Sequence, residues 1–146
     1  MYLDYTASDF LAISYNCDTQ ILVSRWLRPV TPVESRRGYD ELLLVARQQK
    51  ATYWLIDVRR CHASTPETLH WLKDRYYPKL AAELESLVCA VYFMSPDLRK
   101  DFEVDGAFLE PASDTDKPFR LSLYTTEGEC LNWLLQQQTA KLPAAR

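Results

Sequence analysis

The stretch Tyr53–Leu69, with the sequence YWLIDVRRCHASTPETL, combines the end of a strand, a polar loop and the start of a helix. Its first part, Tyr53–Val58, is a nearly continuous apolar run, which is typical of a parallel strand covered on both faces. Its last part, Ser64–Glu67, has the spacing of a capping box with Ser64 as the N-cap, and predicts that a long helix follows. Open α/β proteins place their ligands at such junctions, so we expect a functional edge here.

Upstream of this stretch, the sequence predicts a β-hairpin and one helix. Two apolar, aromatic and β-branched segments, Phe10–Tyr15 and Gln20–Leu27, flank a turn-forming Asn-Cys-Asp-Thr sequence. Thr31 and Glu34 have capping-box spacing with proline at the first helical position, which predicts a helix from there to about Lys50. Four residues at helical spacing are expected to form its buried stripe: Tyr39, Leu42, Leu43 and Ala46.

Downstream, helices and strands continue to alternate. Pro78 lacks an amide hydrogen and is expected to kink or break the long helix near its middle. The most apolar segment, Leu87–Met94, predicts a central strand, and the alternating Phe119–Tyr124 predicts a strand exposed on one face. A short helix is expected from Ser95 to about Phe102, followed by a mobile loop over Val104–Lys117. The last helix is expected over Thr126–Gln138, packed through Cys130, Leu131, Leu134 and Leu135. The tail from Thr139 is expected to be frayed.

This order of elements predicts the fold class. Strands that alternate with helices after a hairpin favour an α/β sheet built by right-handed β-α-β crossovers. We therefore expect one α/β domain over residues 1–146, with an N-terminal β-hairpin, about five strands and four helices.

Composition excludes several classes of protein. The chain has 146 residues, of which 47% are hydrophobic and 25% charged, as in an ordinary globular domain. Its net charge of −3 disfavours nucleic acid as a partner. The N-terminus lacks the features of a signal peptide, and no apolar run is long enough to span a membrane. Four cysteines without a CxxC pair favour reduced thiols in the cytoplasm, with no metal site and no cofactor.

The segment ILVSRWLRPVTPVE, followed by the strand YWLIDV and a capped helix, resembles the STAS domain of anti-sigma-factor antagonists, the SpoIIAA-like fold, and bacterial stand-alone STAS/SEC14-like proteins. The resemblance covers nearly the whole chain. It implies a bacterial regulatory domain whose protein partner is a regulatory kinase or a sigma-factor regulator. In such domains a serine that follows the strand-end aspartate in the sequence is phosphorylated and acts as the switch. Asp57 matches that aspartate, and Ser64 or Thr65 lies where the serine would fall; the loop here has the sequence RRCHASTPE in place of an Asp-Ser-Ser-Gly motif.

Residues at two strand-helix junctions are candidates for a docking or switch surface, and each has a structural alternative. Ser64 and Thr65 can accept a phosphate at a helix start or can cap that helix. Arg59 and Arg60 can clamp an anion or form a solvated pair that bridges Asp57 or Glu67. The candidate set is Asp57, Arg59, Arg60, Ser64, Thr65 and Ser95.

No catalytic residue is predicted, because no set of nucleophile, base and oxyanion donor is evident. The adjacent Cys61 and His62 are not expected to share a metal ion. The sequence thus favours a non-enzymatic domain that acts by protein-protein interaction. Such an interaction could also join two copies of this chain in a homodimer. The alternative is a small-ligand or lipid-binding module whose pocket is lined by aromatic residues, drawn from Trp26, Trp54, Trp71, Trp133, Tyr76 and Tyr77.

Overall fold

A computed structural model describes residues 1–6, 8–105 and 118–141. Within them the chain forms six strands: β1 (Tyr2–Thr6), β2 (Leu11–Asn16), β3 (Ile21–Trp26), β4 (Tyr53–Asp57), β5 (Val88–Phe93) and β6 (Phe119–Tyr124). The helices are α1 (Pro32–Gln49), α2 (Pro66–Trp71), a π-helical turn (Leu72–Tyr76), α3 (Tyr77–Leu84), α4 (Pro96–Asp105) and α5 (Glu127–Lys141). Most of the loop predicted over Val104–Lys117, namely residues 106–117, lies outside the described residues.

The strands form one mixed sheet in the order in which they occur along the chain, β1-β2-β3-β4-β5-β6. β1, β2 and β3 are antiparallel neighbours, and β3 to β6 are all parallel. The predicted α/β class and the hairpin of β2 and β3 are confirmed. The count of about five strands is corrected to six, because β1 was not predicted. It is a five-residue strand at the sheet edge with partly exposed side chains, so its apolar signal is weak.

Both faces of the sheet are covered. In β4, Trp54 and Ile56 pack into a large core with α1, α2 and α3, whereas Tyr53 and Leu55 pack into a second core with α5. All five residues of β4 are buried, as the apolar run predicted. The second face of the parallel strands β4, β5 and β6 is thus covered by α5 of the same chain.

The first helix follows its sequence signals closely. Thr31 accepts a hydrogen bond from the backbone N–H of Glu34 (3.1 Å), and the Glu34 carboxylate accepts one from the N–H of Thr31 (3.0 Å). This capping box and the C-cap at Lys50 (φ 52°) confirm the predicted ends of α1. The predicted stripe is buried in full: Tyr39, Leu42, Leu43 and Ala46.

The second helical segment differs from its prediction at its N-cap. Its N-cap is Thr65, whose side chain accepts from the N–H of Thr68 (3.3 Å), so the assignment of the cap to Ser64 was wrong. Pro66 occupies the first helical position, which makes the preceding residue the cap. The α-helical pattern is interrupted next to Pro78, as predicted: a π-helical turn separates α2 from α3, and Pro78 is the second residue of α3. In this turn the N–H of Tyr77 donates to the carbonyl of Leu72, and the wider turn accommodates the proline.

The last helix is longer than predicted and buries only half of the expected residues. Cys130 and Leu134 are fully buried against the sheet, whereas Leu131 and Leu135 are exposed. Two of the four predicted packing residues therefore face the sheet, and the other two lie on the solvent side of the helix. The helix continues to Lys141, so the part of the frayed tail predicted over residues 139–141 is helical. Residues 142–146 lie outside the described residues.

Candidate functional site

The carboxyl edge of the parallel strands carries two different sites, one on each face of the sheet. In register across β3, β4 and β5, Arg25 lies beside Asp57, and Asp57 lies beside Phe93; this row faces the α5 layer. Because side chains alternate along a strand, the next residues face the opposite layer. The predicted single rim around Asp57 and Ser64 is therefore divided by the sheet.

On the α5 side, Asp57 is the centre of an ion-pair network. It is 5% exposed, and its carboxylate accepts from Arg59 Nε (3.0 Å) and Nη2 (2.8 Å) and from Arg25 Nη1 (2.8 Å). The backbone N–H of Arg59 donates to the same carboxylate (3.2 Å). Arg25 also pairs with Glu127 at the start of α5 (2.9 Å), and the Arg59 guanidinium lies over the Phe93 ring at 4.2 Å. Two arginines and two carboxylates neutralise one another here.

The protonation of Asp57 follows from these contacts. Burial alone would raise the pKa of the carboxyl, but the hydrogen bonds from Arg59 and Arg25 outweigh it, and the pKa is lowered from the ordinary value of 3.8. A carboxylate that is ionised and fully occupied by donors makes a poor general base. The arrangement matches the structural alternative for Arg59, a pair with Asp57.

On the other face, a cavity of about 90 Å³ lies between the sheet edge, α1 and α2. Aromatic residues from three elements line it: Trp26 ends β3, Tyr39 belongs to α1 and Tyr92 belongs to β5. Its aliphatic walls are Val30, Val58, Leu69, Leu72, Met94 and Leu98. The exposed loop of residues 62–65 lines its outer side, so the cavity opens towards solvent.

Trp26 is the unusual member of this lining. Its side chain is 3% exposed, yet its indole Nε1–H has no hydrogen-bond partner within the described part of the chain. A buried donor without a partner costs about 1–3 kcal/mol. The indole is held by packing: it contacts Phe10 and Tyr39 with ring centroids 6.1 and 5.2 Å apart, and Gly38 lies directly against it. The other buried tryptophan, Trp54, by contrast donates to the carbonyl of Ala51 (2.9 Å).

Behind the cavity, three tyrosine hydroxyls form a chain. Tyr92 Oη lies 3.1 Å from Tyr39 Oη and 2.6 Å from Tyr77 Oη, and Tyr76 Oη donates to the backbone carbonyl of Tyr39. Burial raises the pKa of all four phenols well above the ordinary value of 10. They remain neutral O–H groups at physiological pH, so the inner wall is polar but uncharged.

The thiol in the lining is neutral as well. Burial raises the pKa of the Cys61 thiol to about 11, and the thiol donates to the carbonyl of Arg28 (3.6 Å). Five hydroxyl-bearing residues also line the cavity: Thr31, Ser35, Ser64, Thr65 and Thr68. Among the described residues that line the cavity there is no Asp, Glu, Lys or Arg, and the single histidine, His62, is exposed. A thiol held in its protonated form is a weak nucleophile.

The structure separates the candidate residues predicted from the sequence. Asp57 and Arg59 belong to the ion-pair network, and Arg60 is exposed. Ser64 and Thr65 line the mouth of the cavity, with Thr65 also capping α2. Ser95 caps α4 by accepting from the N–H of Leu98 (3.1 Å).

The aromatic residues proposed for a pocket also divide. Trp26 lines the cavity, whereas Trp54, Trp71, Tyr76 and Tyr77 pack behind it. Trp133 packs in the α5 layer on the other face of the sheet. Tyr39 and Tyr92, which line the cavity, were not predicted as site residues. Their hydrophobic positions in α1 and β5 indicated core, and only the packing of those elements brings the two hydroxyls together.

Comparisons with known proteins add no assignment. A scan against protein-family models, a search of curated proteins and a search of solved structures each found no match for this chain. Over residues 1–6, 8–105 and 118–141, no cluster of His, Cys, Asp and Glu is arranged to hold a metal ion. None of the helices described is both long enough and apolar enough to cross a membrane.

Proposed function

We propose that this chain is a non-enzymatic regulatory domain that binds a small molecule in the cavity at the carboxyl edge of its sheet. One observation carries the proposal: a cavity open to solvent at the carboxyl edge of the parallel strands is lined mainly by aromatic and aliphatic side chains, together with a few hydroxyl-bearing residues and one thiol. A concave, mostly apolar pocket with a few convergent polar groups is the usual form of a small-molecule site. The site also lies where open α/β sheets usually bind ligands.

The size of the cavity favours a small molecule over the lipid form of this function. A volume of about 90 Å³ is the share of roughly three water molecules. An engineered apolar cavity that holds one benzene has about 150 Å³, so this smaller cavity favours a group shorter than an acyl chain. A small molecule, or the end of a larger one, suits the volume.

A ligand that remains bound during purification tests this proposal directly. Native mass spectrometry of the protein from its source organism should show an added mass that disappears on denaturation. Ala63→Leu places a larger side chain in the mouth of the cavity and should abolish that added mass, whereas Ala140→Leu on the exposed side of α5 should retain it. If all three proteins show the mass of the chain alone, and no small molecule shifts the resonances of the cavity methyl groups, the proposal is wrong.

A second candidate function is the protein-protein switch implied by the resemblance to STAS proteins. The observation that favours it is that Ser64 is exposed and does not serve as a cap, since Thr65 has that role. Phosphate on Ser64 would therefore leave the cap intact and add roughly two negative charges at the mouth of the cavity. The element order on which the resemblance rests, a hairpin followed by alternating strands and helices, also supports this second function.

Phosphate transfer tests this second function. Incubation with a lysate of the source organism and labelled ATP should label the wild-type chain and Thr65→Ala, but not Ser64→Ala. Label that stays on Ser64→Ala, or no label on any of the three, would contradict a switch at Ser64. The kinase or sigma-factor regulator, the bacterial cytoplasm and the homodimer belong to the same proposal. The mass of the protein in solution tests the homodimer.

A further inference from the structure

The cavity that we propose as a ligand site adjoins a surface groove between the starts of α1 and α2. Six residues line this groove: Pro32, Val33, Arg36, Thr65, Glu67 and Thr68. Pro32, Thr65 and Thr68 also line the cavity. Because Pro32 and Thr65 are exposed, the cavity and the groove meet at the protein surface. A molecule with one end in the cavity therefore has its remaining atoms beside the groove.

The groove carries two opposite charges that the protein does not pair with each other. Arg36 comes from α1 and Glu67 from the first turn of α2, and both side chains are exposed. Neither residue is part of an ion pair within the described residues. The guanidinium of Arg36 lies instead over the ring of Trp71 at 5.2 Å. Such a contact uses the face of the guanidinium and leaves the N–H donors in its plane for an anion.

The cavity next to these charges has the opposite character. Among the described residues that line it there is no Asp, Glu, Lys or Arg, and its walls include Leu69, Leu72 and Met94. An ion placed there would lose its hydration without gaining a counter-charge. The volume of about 90 Å³ is the share of roughly three waters, which suits a branched alkyl group. A neutral alkyl end thus fits the cavity, and a charged end fits the groove.

We infer that the ligand is a free aliphatic α-amino acid of the size of valine, leucine or isoleucine, an inference that rests on the proposed function. The side chain of the amino acid occupies the cavity. Its carboxylate accepts from the guanidinium of Arg36, and its ammonium group donates to the carboxylate of Glu67.

The zwitterion is the reason for this choice over other small amphipathic molecules. A fatty acid would place its carboxylate beside that of Glu67, and an alkyl amine would place its ammonium group beside Arg36. An α-amino acid carries both charges on the carbon next to its side chain, so each charge meets its opposite. A residue within a peptide lacks these two charges.

Three probes that share one alkyl chain test the inference. They are L-leucine, 4-methylpentanoate, which is leucine without its amino group, and 3-methylbutylamine, which is leucine without its carboxylate. In an NMR titration of the full chain, all three should shift the methyl resonances of Leu69, Leu72 and Met94, because the alkyl end enters the cavity. L-Leucine should bind about tenfold more tightly than either of the other probes, because it alone forms both charged hydrogen bonds.

Two variants separate the contributions of the two charges. Arg36→Gln should weaken the binding of L-leucine and 4-methylpentanoate by about tenfold and should not weaken that of 3-methylbutylamine. Glu67→Gln should weaken L-leucine and 3-methylbutylamine by a similar factor, and should not weaken 4-methylpentanoate. Arg37→Gln and Glu41→Gln are the matched controls, since they remove the same charges from α1 outside the cavity and the groove. Both controls should keep the wild-type affinities.

The outcomes distinguish this inference from the proposed function. Methyl shifts with equal affinities for the three probes, in the wild type and in every variant, would show that the cavity takes the alkyl end alone and would overturn the amino-acid inference. No methyl shift with any probe would also overturn it; if native mass spectrometry still shows an added mass, the proposed function stands with another ligand. No methyl shift and no added mass would overturn both.

Discussion

At the scale of single residues, Asp57 connects burial, charge and pH. Its pKa is lowered in the folded protein because Arg59 and Arg25 donate to the carboxylate. The folded state therefore binds fewer protons than the unfolded state between the two pKa values. The stability contributed by Asp57 is fully present above the unfolded pKa of about 4 and is lost as the pH falls through the lower folded value.

Asp57→Asn should therefore destabilise the protein by about 2 kcal/mol at pH 7, since it removes charge-assisted hydrogen bonds from two half-exposed arginines. The difference from wild type should shrink as the pH falls below about 4, because the wild-type carboxylate is then protonated. Urea unfolding at pH 7, 4.5 and 3 measures both effects. Glu127→Gln, at the exposed end of the network, should cost less than about 0.5 kcal/mol. A constant difference at all three pH values would contradict the lowered pKa.

Two glycines in helices make a matched pair at the same scale. A Cβ on Gly38 would overlap Trp26 and lie 2.9 Å from its Cζ3, whereas a Cβ on Gly128 would meet nothing within 4 Å. Gly128→Ala should stabilise the protein by up to about 1 kcal/mol through helix propensity. Gly38→Ala should instead destabilise it by about 1–3 kcal/mol, because overpacking outweighs that gain.

Trp26→Phe tests whether the close approach of Trp26 is the reason that Gly38→Ala destabilises the protein. In this background the six-membered ring of the indole is absent, so Gly38→Ala should cost less than it does in the wild type. Thermal unfolding of the four proteins of this cycle gives the coupling between the two positions. Equal costs in both backgrounds would show that the close approach of Trp26 is not what requires glycine at position 38.

At the scale of elements, the two hydroxyls before α2 have different roles. Thr65 accepts from the N–H of Thr68 and donates to its hydroxyl (3.1 Å). Thr65→Ala should therefore cost about 1 kcal/mol of stability, the usual value of an N-cap. Ser64→Ala should change stability by less than about 0.5 kcal/mol. Chemical denaturation measures the stability of both variants. A larger loss of stability in Ser64→Ala than in Thr65→Ala would show that Ser64 is the N-cap.

Some of these elements could be predicted from the sequence and others could not. Local signals were strong enough to predict the capping box at Thr31, the end of α1 near Lys50 and the buried run of β4. The cap of α2 was misplaced by one residue because Ser64 and Thr65 both precede a proline within capping distance. β1 was missed because an edge strand with exposed residues lacks a clear hydrophobic pattern.

The candidate site was predictable in position but not in composition. The strand-helix junction after β4 does lie at the edge that carries both the ion pairs and the cavity. Alternation then sends Asp57 and Val58 to opposite faces, so residues adjacent in sequence serve different sites. The hydroxyls of Tyr39 and Tyr92 meet across 53 residues of sequence. A contact of that kind depends on how α1 packs on β5, which no local pattern encodes.

At the scale of the whole molecule, one sheet supports two cores. β4 and β5 give alternate residues to the layer of α1 and to the layer of α5. Neither layer can lose its packing without exposing one face of the same strands. We therefore expect the domain to unfold in a single cooperative transition, as small domains with shared cores usually do.

Four leucine substitutions test this coupling. Leu42 on α1 and Leu134 on α5 are both fully buried, in opposite layers, whereas Leu44 and Leu135 lie nearby on the same helices and are 51% and 49% exposed. Leu42→Ala and Leu134→Ala should each cost about 2–5 kcal/mol, and Leu44→Ala and Leu135→Ala less than about 0.5 kcal/mol. Denaturation followed by both circular dichroism and tryptophan fluorescence should give one coincident transition in every variant, because the strands transmit the loss from either layer. An early separate transition of α5 in Leu134→Ala would show instead that the second layer is independent of the cavity-bearing core.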